Sequence, residues 1–443
     1  MRRFTPVSLS AVLAWITGFI LVLVPFHAFI TVWLASILGH YTLLRLWKEF
    51  LLAILLAGVL YYLVVDKAVR QKFLADKLVW LIGLYALLLL IWGLVPLARH
   101  EIAAKAVWYG LLVDLRFLAF FLAVLILAAR ASSLKANWIR ILLVPAAIVA
   151  GFAVLEYLVL PYDFLRHFGY GPATISPYET INNNLNHIRV MSTLRGANPL
   201  GAYLILPLCA AAAIGLKNRG RRVVLSALGL IFILALLFSF SRSAWVGAVL
   251  GLAAVAGLSL KSARQYKLAG GVVAALIVLI VLALVIFSNN LGFEDIIFHT
   301  DKASSVKTSS NGQHASAFKN GLSDIVHQPF GAGVGSAGPQ SVYNHSQARI
   351  AENYFLQIGQ EAGWPAMIGF IAICVVVAVR LFKRRGSTLA LALLASLIGI
   401  SFVNLLSHAW ADDTLAYTWW GLAGIALAPV LLTRPYKPAA KPS

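Results

Sequence analysis

Three arginines and an asparagine stand where they would bind an anion. Residues 189–201 read RVMSTLRGANPLG, so Arg189 and Arg195 precede Asn198 and a proline, a pair that suits a helix start. A helix N-terminus offers partial positive charge and free N–H groups, and an arginine adds a planar fork that matches phosphate oxygens. Arg242 lies in FSFSRSAWVG, a turn with almost no loop, where a buried guanidinium needs an anionic partner. The pattern predicts an anion site, with interfacial snorkelling or structural pairing as the alternatives.

The longest polar stretch runs over residues 291–363 and contains His314, His327 and His345 together with the glycine-rich run PFGAGVGSAG. This run follows no predicted strand and lacks the Lys-Ser/Thr ending of a nucleotide-binding loop, so it predicts a tight turn. The histidines lack the close helical spacing of zinc ligands, and no HExxH or paired CxxC occurs. We expect a folded cap with no metal or organic cofactor.

The composition is that of an integral membrane protein. The chain is 61% hydrophobic and 12% charged, and its apolar runs of about 18–25 residues are long enough to cross a hydrocarbon core of about 30 Å. No cleavable signal peptide precedes the first run, so we expect its helix to be retained. The predicted fold is all-α and polytopic, with about twelve transmembrane helices and a large extracytoplasmic loop. The predicted helices span residues 8–30, 47–65, 78–97, 106–129, 139–160, 197–216, 223–240, 243–260, 268–288, 353–379, 388–408 and 414–433.

The net charge of +20 falls on one side of this predicted topology. Segments on the N-terminal side of the bilayer hold 23 Lys and Arg against only Asp66 and Asp76, whereas the rest of the chain holds 13 Lys and Arg against 14 acids. An excess of Lys and Arg in cytoplasmic loops is the positive-inside pattern. We therefore expect both termini in the cytoplasm, and the basic charge predicts membrane topology rather than a nucleic-acid partner.

Asp114 and Arg116 lie near the middle of the predicted fourth helix. Ionisable side chains at that depth are costly and are functional candidates by default. Two residues apart, they face different sides of the helix and do not pair with each other, which leaves open a functional role or pairing with neighbouring helices. Glu156, near the outer end of the fifth helix, is undecided in the same way. The adjacent Asp412 and Asp413 predict a solvated helix turn.

Three segments, SRSAWVG, HQPFGAGVGSAG and AENYFLQIGQEAGWPA, occur in an order that resembles the O-antigen ligase/polymerase superfamily of bacterial membrane glycosyltransferases. The resemblance covers residues 189–369 by motif and the whole chain by helix number. It implies an enzyme that passes a glycan from undecaprenyl pyrophosphate to an acceptor hydroxyl at the outer face of the inner membrane. Arginines would hold the pyrophosphate without a metal. By motif, Arg242 matches the family arginine of the Ser-Arg turn, and Arg195 the one before the Asn-Pro helix start.

One position departs from the family pattern. Ligases of the family commonly carry His-Asn, nine further residues and Gly, whereas here Glu352 and Asn353 stand at that spacing from Gly363. The glutamate moves the expectation from a lipid A-core ligase towards a polymerase or another glycan transferase. An acceptor hydroxyl needs a base, and Glu352 is the candidate, with a displaced His345 as the alternative. The structural alternative for Glu352 is a carboxylate that stabilises a helix N-terminus.

The resemblance thus implies a metal-independent, inverting glycosyltransferase whose partners are the lipid-linked donor, a glycan or glycolipid acceptor and the bilayer. The predicted organisation is helices one to nine with an outer loop at 161–196 (1–290), an extracytoplasmic catalytic loop (291–352), helices ten to twelve (353–433) and a cytoplasmic tail (434–443). The candidate residues are Glu352, Arg242 and Arg195 for catalysis, and Arg189, Asn198, Asn353, His345 and His314 for substrate binding.

The competing class is a secondary or lipid-linked-sugar transporter. Twelve helices and the intramembrane Asp114 and Arg116 suit a transporter. The concentration of polar residues on one outer face, and the absence of an apparent two-fold repeat in the helix series, favour the enzyme.

Overall fold

The computed structural model describes residues 8–181, 184–259, 310–344 and 348–428. The predicted ninth helix (268–288), the segment 291–309 and His345 lie outside the described residues. The described residues contain eight helical segments long and apolar enough to cross a membrane. A polytopic helical membrane protein is therefore confirmed, while the number twelve stays a prediction.

The helices of the described residues are numbered here in chain order. They are α1 (Leu9–Leu23), α2 (His27–Leu38), α3 (Tyr41–Leu44), α4 (Trp47–Val65), α5 (Lys67–Leu74), α6 (Lys77–Ala98), α7 (Ala104–Arg130), α8 (Ser132–Leu158), α9 (Ala197–Lys217), α10 (Arg222–Phe238), α11 (Arg242–Ser259), α12 (Ser310–His327), α13 (Tyr354–Lys383), α14 (Thr388–Asn404) and α15 (Asp413–Leu427). Two short strands, β1 (Glu179–Ile181) and β2 (Asn184–Arg189), pair antiparallel within the predicted outer loop.

The first predicted helix is longer than expected and is broken. Residues Leu9–Leu38 form one candidate span, interrupted by a 3-10 turn at Val24–Phe26 that contains Pro25. Proline has no N–H to donate to the helix ladder, so the regular hydrogen bonding stops there. A short helix, α3, then precedes the second predicted span.

Contacts between loops sort the chain into two ends. At one end, which we call the basic end, Arg130 pairs with Asp66 at 2.7 Å and Arg380 pairs with Asp76 at 2.7 Å. These residues all belong to or border segments predicted to be cytoplasmic. The opposite end, which we call the site end, gathers the segments around residues 25–46, 99–103, 160–196, 328–353 and 405–414.

An aromatic cluster fills the centre between α7, α13 and α15. Trp410 and Trp420 lie 5.8 Å apart between ring centroids, and Phe117 of α7 lies 5.5 Å from Trp420. All three are fully buried, and aromatic pairs at such distances add packing energy beyond the area that they bury. The cluster fixes the position of α7 relative to the start of α15, the two elements that carry the buried charges described next.

Candidate functional site

The glycine-rich run docks into a break in α13. The helix loses regular geometry at Gly363, whose φ of 77° lies in the left-handed region that glycine adopts readily. The carbonyls of Gln360 and Glu361 accept hydrogen bonds from the amides of Ala332 and Gly333, each at 2.8 Å. Non-helical backbone at membrane depth is tolerated only where such partners exist. The run is a tight turn, as predicted, and its amides donate hydrogen bonds to carbonyl groups at the break in the helix.

The Glu361 carboxyl also links the glycine-rich run to α13. Its Oε1 accepts from the Gly335 amide at 2.8 Å and from the Gln340 side-chain amide at 2.7 Å. It also lies close enough to the Asp114 carboxyl to interact electrostatically with it, and Asp114 Oδ1 accepts from the Tyr354 hydroxyl at 3.0 Å. We call the side chains of Asp114, Gln340, Tyr354 and Glu361 the carboxyl knot.

Arg116 pairs with acids on two other helices. Its Nη1 lies 3.1 Å from Glu49 Oε1, and its Nη2 contacts Asp413 Oδ1. Lys48 Nζ lies 3.0 Å from Glu49 and 3.0 Å from Asp413, and His27 Nε2 lies 3.3 Å from Asp413. Two cations and two carboxylates thus balance in a buried network. Of the two readings left open for Asp114 and Arg116, the structure displays pairing with neighbouring helices for both.

Asp412 and Asp413 do not form a solvated turn, and that prediction is wrong. Asp412 is the N-cap of α15, where its Oδ1 accepts from the amides of Thr414 and Leu415. Its Oδ2 lies 3.1 Å from Arg195 Nε. Burial raises the pKa of Asp412 against the opposing effect of Arg195. Both acids turn inward because cations from distant parts of the chain meet them there.

Arg195 lines a polar cavity of about 310 Å³ at the site end, which we call the cationic cavity. Arg45 lies on the same wall, with its guanidinium 5.0 Å from the centroid of the Tyr109 ring. Arg45 takes part in none of the ion pairs found among the described residues. The cavity therefore contains a cation that is not engaged in a direct ion pair there, although Asp413 of the same lining acts on it electrostatically. Its lining is His27, Ala28, Thr31, Tyr41, Arg45, Tyr109, Arg116, Thr174, Ile175, Arg195, Asp412, Asp413 and Thr414.

An apolar groove of about 750 Å³ adjoins the cationic cavity. Thr31 lines both, and residues 41–47 form a shared wall in which Tyr41 and Arg45 line the cavity while Leu43 lines the groove. Leu43 is 70% exposed, so the groove is open at its edge. The groove is lined by Phe19, Leu23, Ile30, Thr31, Leu34, Leu43, Leu44, Leu46, Trp47, Glu49, Phe50, Leu51 and Leu112.

Glu352 and Asn353 have different surroundings. Asn353 is the buried N-cap of α13, where its Oδ1 accepts from the Leu356 amide at 3.0 Å and its Nδ2 donates to the Leu405 carbonyl at 3.0 Å. Glu352, just before it, is partly buried and has a φ of 50°. The structure places the Asn353 amide in helix capping and leaves Glu352 as the ionisable group of this pair.

His408 lies within electrostatic range of both Glu352 and Arg195. Burial, assisted by the Arg195 charge and opposed by the Glu352 charge, lowers the pKa of His408 to about 4. The imidazole is therefore neutral at neutral pH. A neutral imidazole has one donor and one acceptor nitrogen, so His408 can hold a carboxylate or accept a proton.

Arg189 and Arg242 form a second cationic group. Arg189 donates to the Asn198 side-chain oxygen at 2.6 Å and to the Ser239 carbonyl at 3.1 Å, and it lies 3.5 Å from Glu179. Its charge acts electrostatically on Arg242. The hairpin β1–β2 and the turn before α11 thus bring two predicted arginines together.

The start of α9 agrees with the predicted span, but its N-cap does not. The helix begins at Ala197, as predicted, and Gly196 is its N-cap, so Asn198 lies in the first turn and does not cap the helix. Glu179 Oε1 accepts from the Ala197 amide at 3.4 Å, so a carboxylate from β1 meets the helix terminus instead. Asn198 is therefore free to accept from Arg189.

Backbone strain concentrates at the site end. Five non-glycine residues of the described chain have positive φ, and four of them, His40, Ser192, Phe240 and Glu352, are candidate or cavity-lining residues or lie within three residues of one. Such conformations cost free energy and cluster at functional sites. Glu156 holds one of them, because its carboxylate accepts from the Ser192 amide at 2.8 Å.

The structure brings the predicted residues into two groups at the site end. Arg195 and Glu352 both act electrostatically on His408, and Arg189 acts on Arg242 while donating a hydrogen bond to Asn198. His314 belongs to α12, where only its backbone is described.

Sequence reasoning missed Arg45 and His408 as site residues. Arg45 lies in the run RLWKE and His408 in the run SHAWADD, both at predicted outer ends of apolar segments. Their position as polar residues at such ends was the sequence feature that could have marked them as candidates. Their partners come from remote parts of the chain, which a single sequence does not specify.

A family model described as O-Antigen ligase matches residues 227–371. No curated protein matches the chain. The matched stretch holds the Ser-Arg turn, the glycine-rich run and the broken part of α13, and the last two pack against each other around Glu361. The match confirms the resemblance seen in the motifs and places residues 227–371 in the O-antigen ligase family.

Proposed function

We propose that this protein transfers a glycan from undecaprenyl pyrophosphate to an acceptor sugar hydroxyl, as an O-antigen or exopolysaccharide polymerase or an O-antigen ligase-like enzyme. The O-antigen ligase match supports glycosyl transfer in general. The observation that carries the proposal is the cationic cavity beside the apolar groove, with Thr31 in both.

This arrangement suits a donor with a charged head and a polyprenyl tail. Pyrophosphate needs cations, and the chain next to it needs apolar surface. Arg45 and Arg195 supply guanidinium groups, whose planar forks match phosphate oxygens and stay charged in a low dielectric. The segment 41–47 lies where head and tail would join, because it lines the cavity on one side and the groove on the other.

Arginines also act on the leaving group. As the bond between the anomeric carbon and the pyrophosphate oxygen breaks, negative charge grows on that oxygen, and donors already in place stabilise it without reorganisation. Asp412 holds Arg195 in position through its contact at 3.1 Å. Arg242 and Arg189 extend the cationic surface, and we assign them to the donor pyrophosphate or the sugar next to it.

Glu352 is the proposed general base. Its carboxylate takes the proton from the acceptor hydroxyl while that oxygen attacks the anomeric carbon, and undecaprenyl pyrophosphate leaves in the same step with inversion. His408, neutral near pH 7, would position the carboxylate by a hydrogen bond. Charge neutralisation by arginines makes this a metal-independent mechanism.

The site end would face the outside of the inner membrane. The basic end carries the Lys- and Arg-rich segments that the positive-inside rule assigns to the cytoplasm. Reporter fusions test this orientation: a fusion at Gly220 should report the cytoplasm and one at Ser310 the opposite side. The reverse result would contradict the proposed orientation.

The test of function uses purified protein in liposomes with undecaprenyl-pyrophosphate oligosaccharide and an acceptor glycan. We expect elongated glycan together with an equal amount of released undecaprenyl pyrophosphate. Arg45→Gln should lose most transfer, whereas Arg166→Gln, which removes an exposed arginine paired with Asp163 at 3.4 Å, should not. Movement of intact donor across the bilayer without release would indicate a transporter and contradict the proposal.

A further inference from the structure

A second charged pocket lies at the basic end, away from the proposed transfer site. It has a volume of about 500 Å³, and its polar lining is Lys72, Asp76, Lys77, Arg380 and Arg384. Four cations therefore share this pocket with one carboxylate. We call it the basic pocket.

The charges of the basic pocket are only partly balanced. Asp76 is bound by Arg380 through both guanidinium Nη atoms. Arg384 donates to the backbone carbonyl of Ala426 at 2.9 Å, and it takes part in no ion pair among the described residues. Lys72 and Lys77 take part in none of the ion pairs found in the described part of the chain.

Burial lowers the pKa of Arg384, and the nearby Arg380 charge lowers it further, as expected where cations crowd together. The basic pocket thus has the electrostatics of an anion site.

The floor of the basic pocket is apolar. Val69 and Phe73 come from α5, and Leu125, Ile126 and Leu427 come from α7 and α15. α5 is held at its start, because Asp66 caps its first amides and pairs with Arg130 at 2.7 Å. A free anion would make no favourable contact with this apolar floor, whereas a lipid would place its glycerol and the upper part of its acyl chains there.

We propose that the basic pocket binds the phosphate headgroup of an anionic phospholipid in the leaflet at the basic end. Basic pockets between transmembrane helices bind anionic lipid headgroups, and each Lys or Arg near a membrane surface attracts anionic lipid. The phosphate lies among Lys72, Lys77 and Arg384, and the acyl chains leave past the apolar floor. This site is independent of the proposed glycan transfer.

The test measures lipid binding to the purified full-length protein by native mass spectrometry, supported by the shift in melting temperature. Delipidated protein is titrated with phosphatidylglycerol, phosphatidylcholine or inorganic phosphate. We expect phosphatidylglycerol to bind and to raise the melting temperature, and the other two to do neither at the same concentration. This comparison needs no variant, so it stands even if a substitution impairs folding.

The variant arm removes two cations from the basic pocket. K72Q/K77Q should bind phosphatidylglycerol about 30-fold more weakly, from two lost surface charges. The matched control R99Q/R166Q removes two exposed arginines at the site end and should bind as the parent does. Equal affinity in K72Q/K77Q and the control would overturn the proposal. So would equal binding of phosphatidylcholine, which would show a plain acyl-chain site, or stabilisation by inorganic phosphate alone, which would show an ion site.

Discussion

The carboxyl knot and the cationic cavity both contain ionisable side chains, yet they differ in solvent exposure and in partners. Glu361 and Asp114 of the knot are fully buried and bound by protein groups. The Arg195 side chain in the cavity is 39% exposed, with one acid beside its Nε, and Arg45 has no ion pair among the described residues. The hydrogen bonds of the knot are made within the protein interior, whereas the cavity contains a guanidinium group that forms no ion pair among the described residues.

The difference separates the motif that carries the family resemblance from the residues that we propose for the chemistry. The glycine-rich run and the break in α13 form hydrogen bonds with each other. Hydrogen bonds within a buried polar network stabilise one arrangement of the chain. We infer that the knot is scaffold, and that the arginines and Glu352 around the cavity are the working groups.

The largest expected effect is on the scaffold. In Gly335→Ala the new methyl group would stand 2.6 Å from the Ala106 backbone, at a φ of 94° that disfavours alanine. Backbone clash and strain together should prevent recovery of folded protein. Gly151→Ala in α8, where nothing lies within 4 Å, is the matched control and should be recovered normally. Size-exclusion chromatography after extraction measures both, and a well-folded Gly335→Ala would remove the scaffold role of the run.

The next effect concerns the arginines of the site. Arg195→Lys and Arg242→Lys keep the charge but lose the planar fork, and the loss of an aligned donor costs about 10²–10³ in rate. The transfer assay should show this loss while the protein still inserts and melts normally, and Arg166→Lys should keep the parental rate. Near-parental turnover in either site variant would make that arginine structural or topological.

The smallest effect concerns His408 and acid. Its pKa is lowered to about 4 in the fold by burial, against an ordinary value of about 6.5. Between these values the unfolded chain binds a proton that the folded protein refuses, so stability falls as pH drops from about 6.5 towards 4. The melting temperature of His408→Gln should fall less over this range than that of the parent, while the exposed His167→Gln should follow the parent. Identical profiles for parent and His408→Gln would show that this imidazole is not held neutral.

Much of the fold could be predicted from the sequence, because apolar runs must cross the bilayer. The predicted helix at 47–65 matches α4, and the predicted helix at 353–379 begins within one residue of α13. Helix breaks were harder, since Pro25 and Gly363 interrupt spans whose composition stays apolar. The hairpin β1–β2 was missed because its pairing is set by a few residues in a loop rich in Pro, Gly and Asn.

The site could be predicted only in part. Residue type and position near a helix start were enough to select Arg195, Arg242 and Glu352 as candidates. Arg45 and His408 become candidates only through contacts with residues far away in the chain. Asp412 and Asp413 show the same limit, because a solvated turn and a buried cap with cationic partners have the same local sequence.

The central claim is that Glu352 is the general base of the transfer reaction, whereas Glu361 stabilises the fold. One paired measurement tests it: the transfer rate and the melting temperature of Glu352→Ala and Glu361→Ala from matched preparations. Glu352→Ala should lose about 10²–10⁴ in rate, the typical cost of a missing base, with an unchanged melting temperature. Glu361→Ala should melt markedly lower, because the Gly335 and Gln340 donors would stay buried without an acceptor, at about 1–3 kcal/mol each. A normally folded but inactive Glu361→Ala beside a fully active Glu352→Ala would contradict the account and move the chemistry to the carboxyl knot.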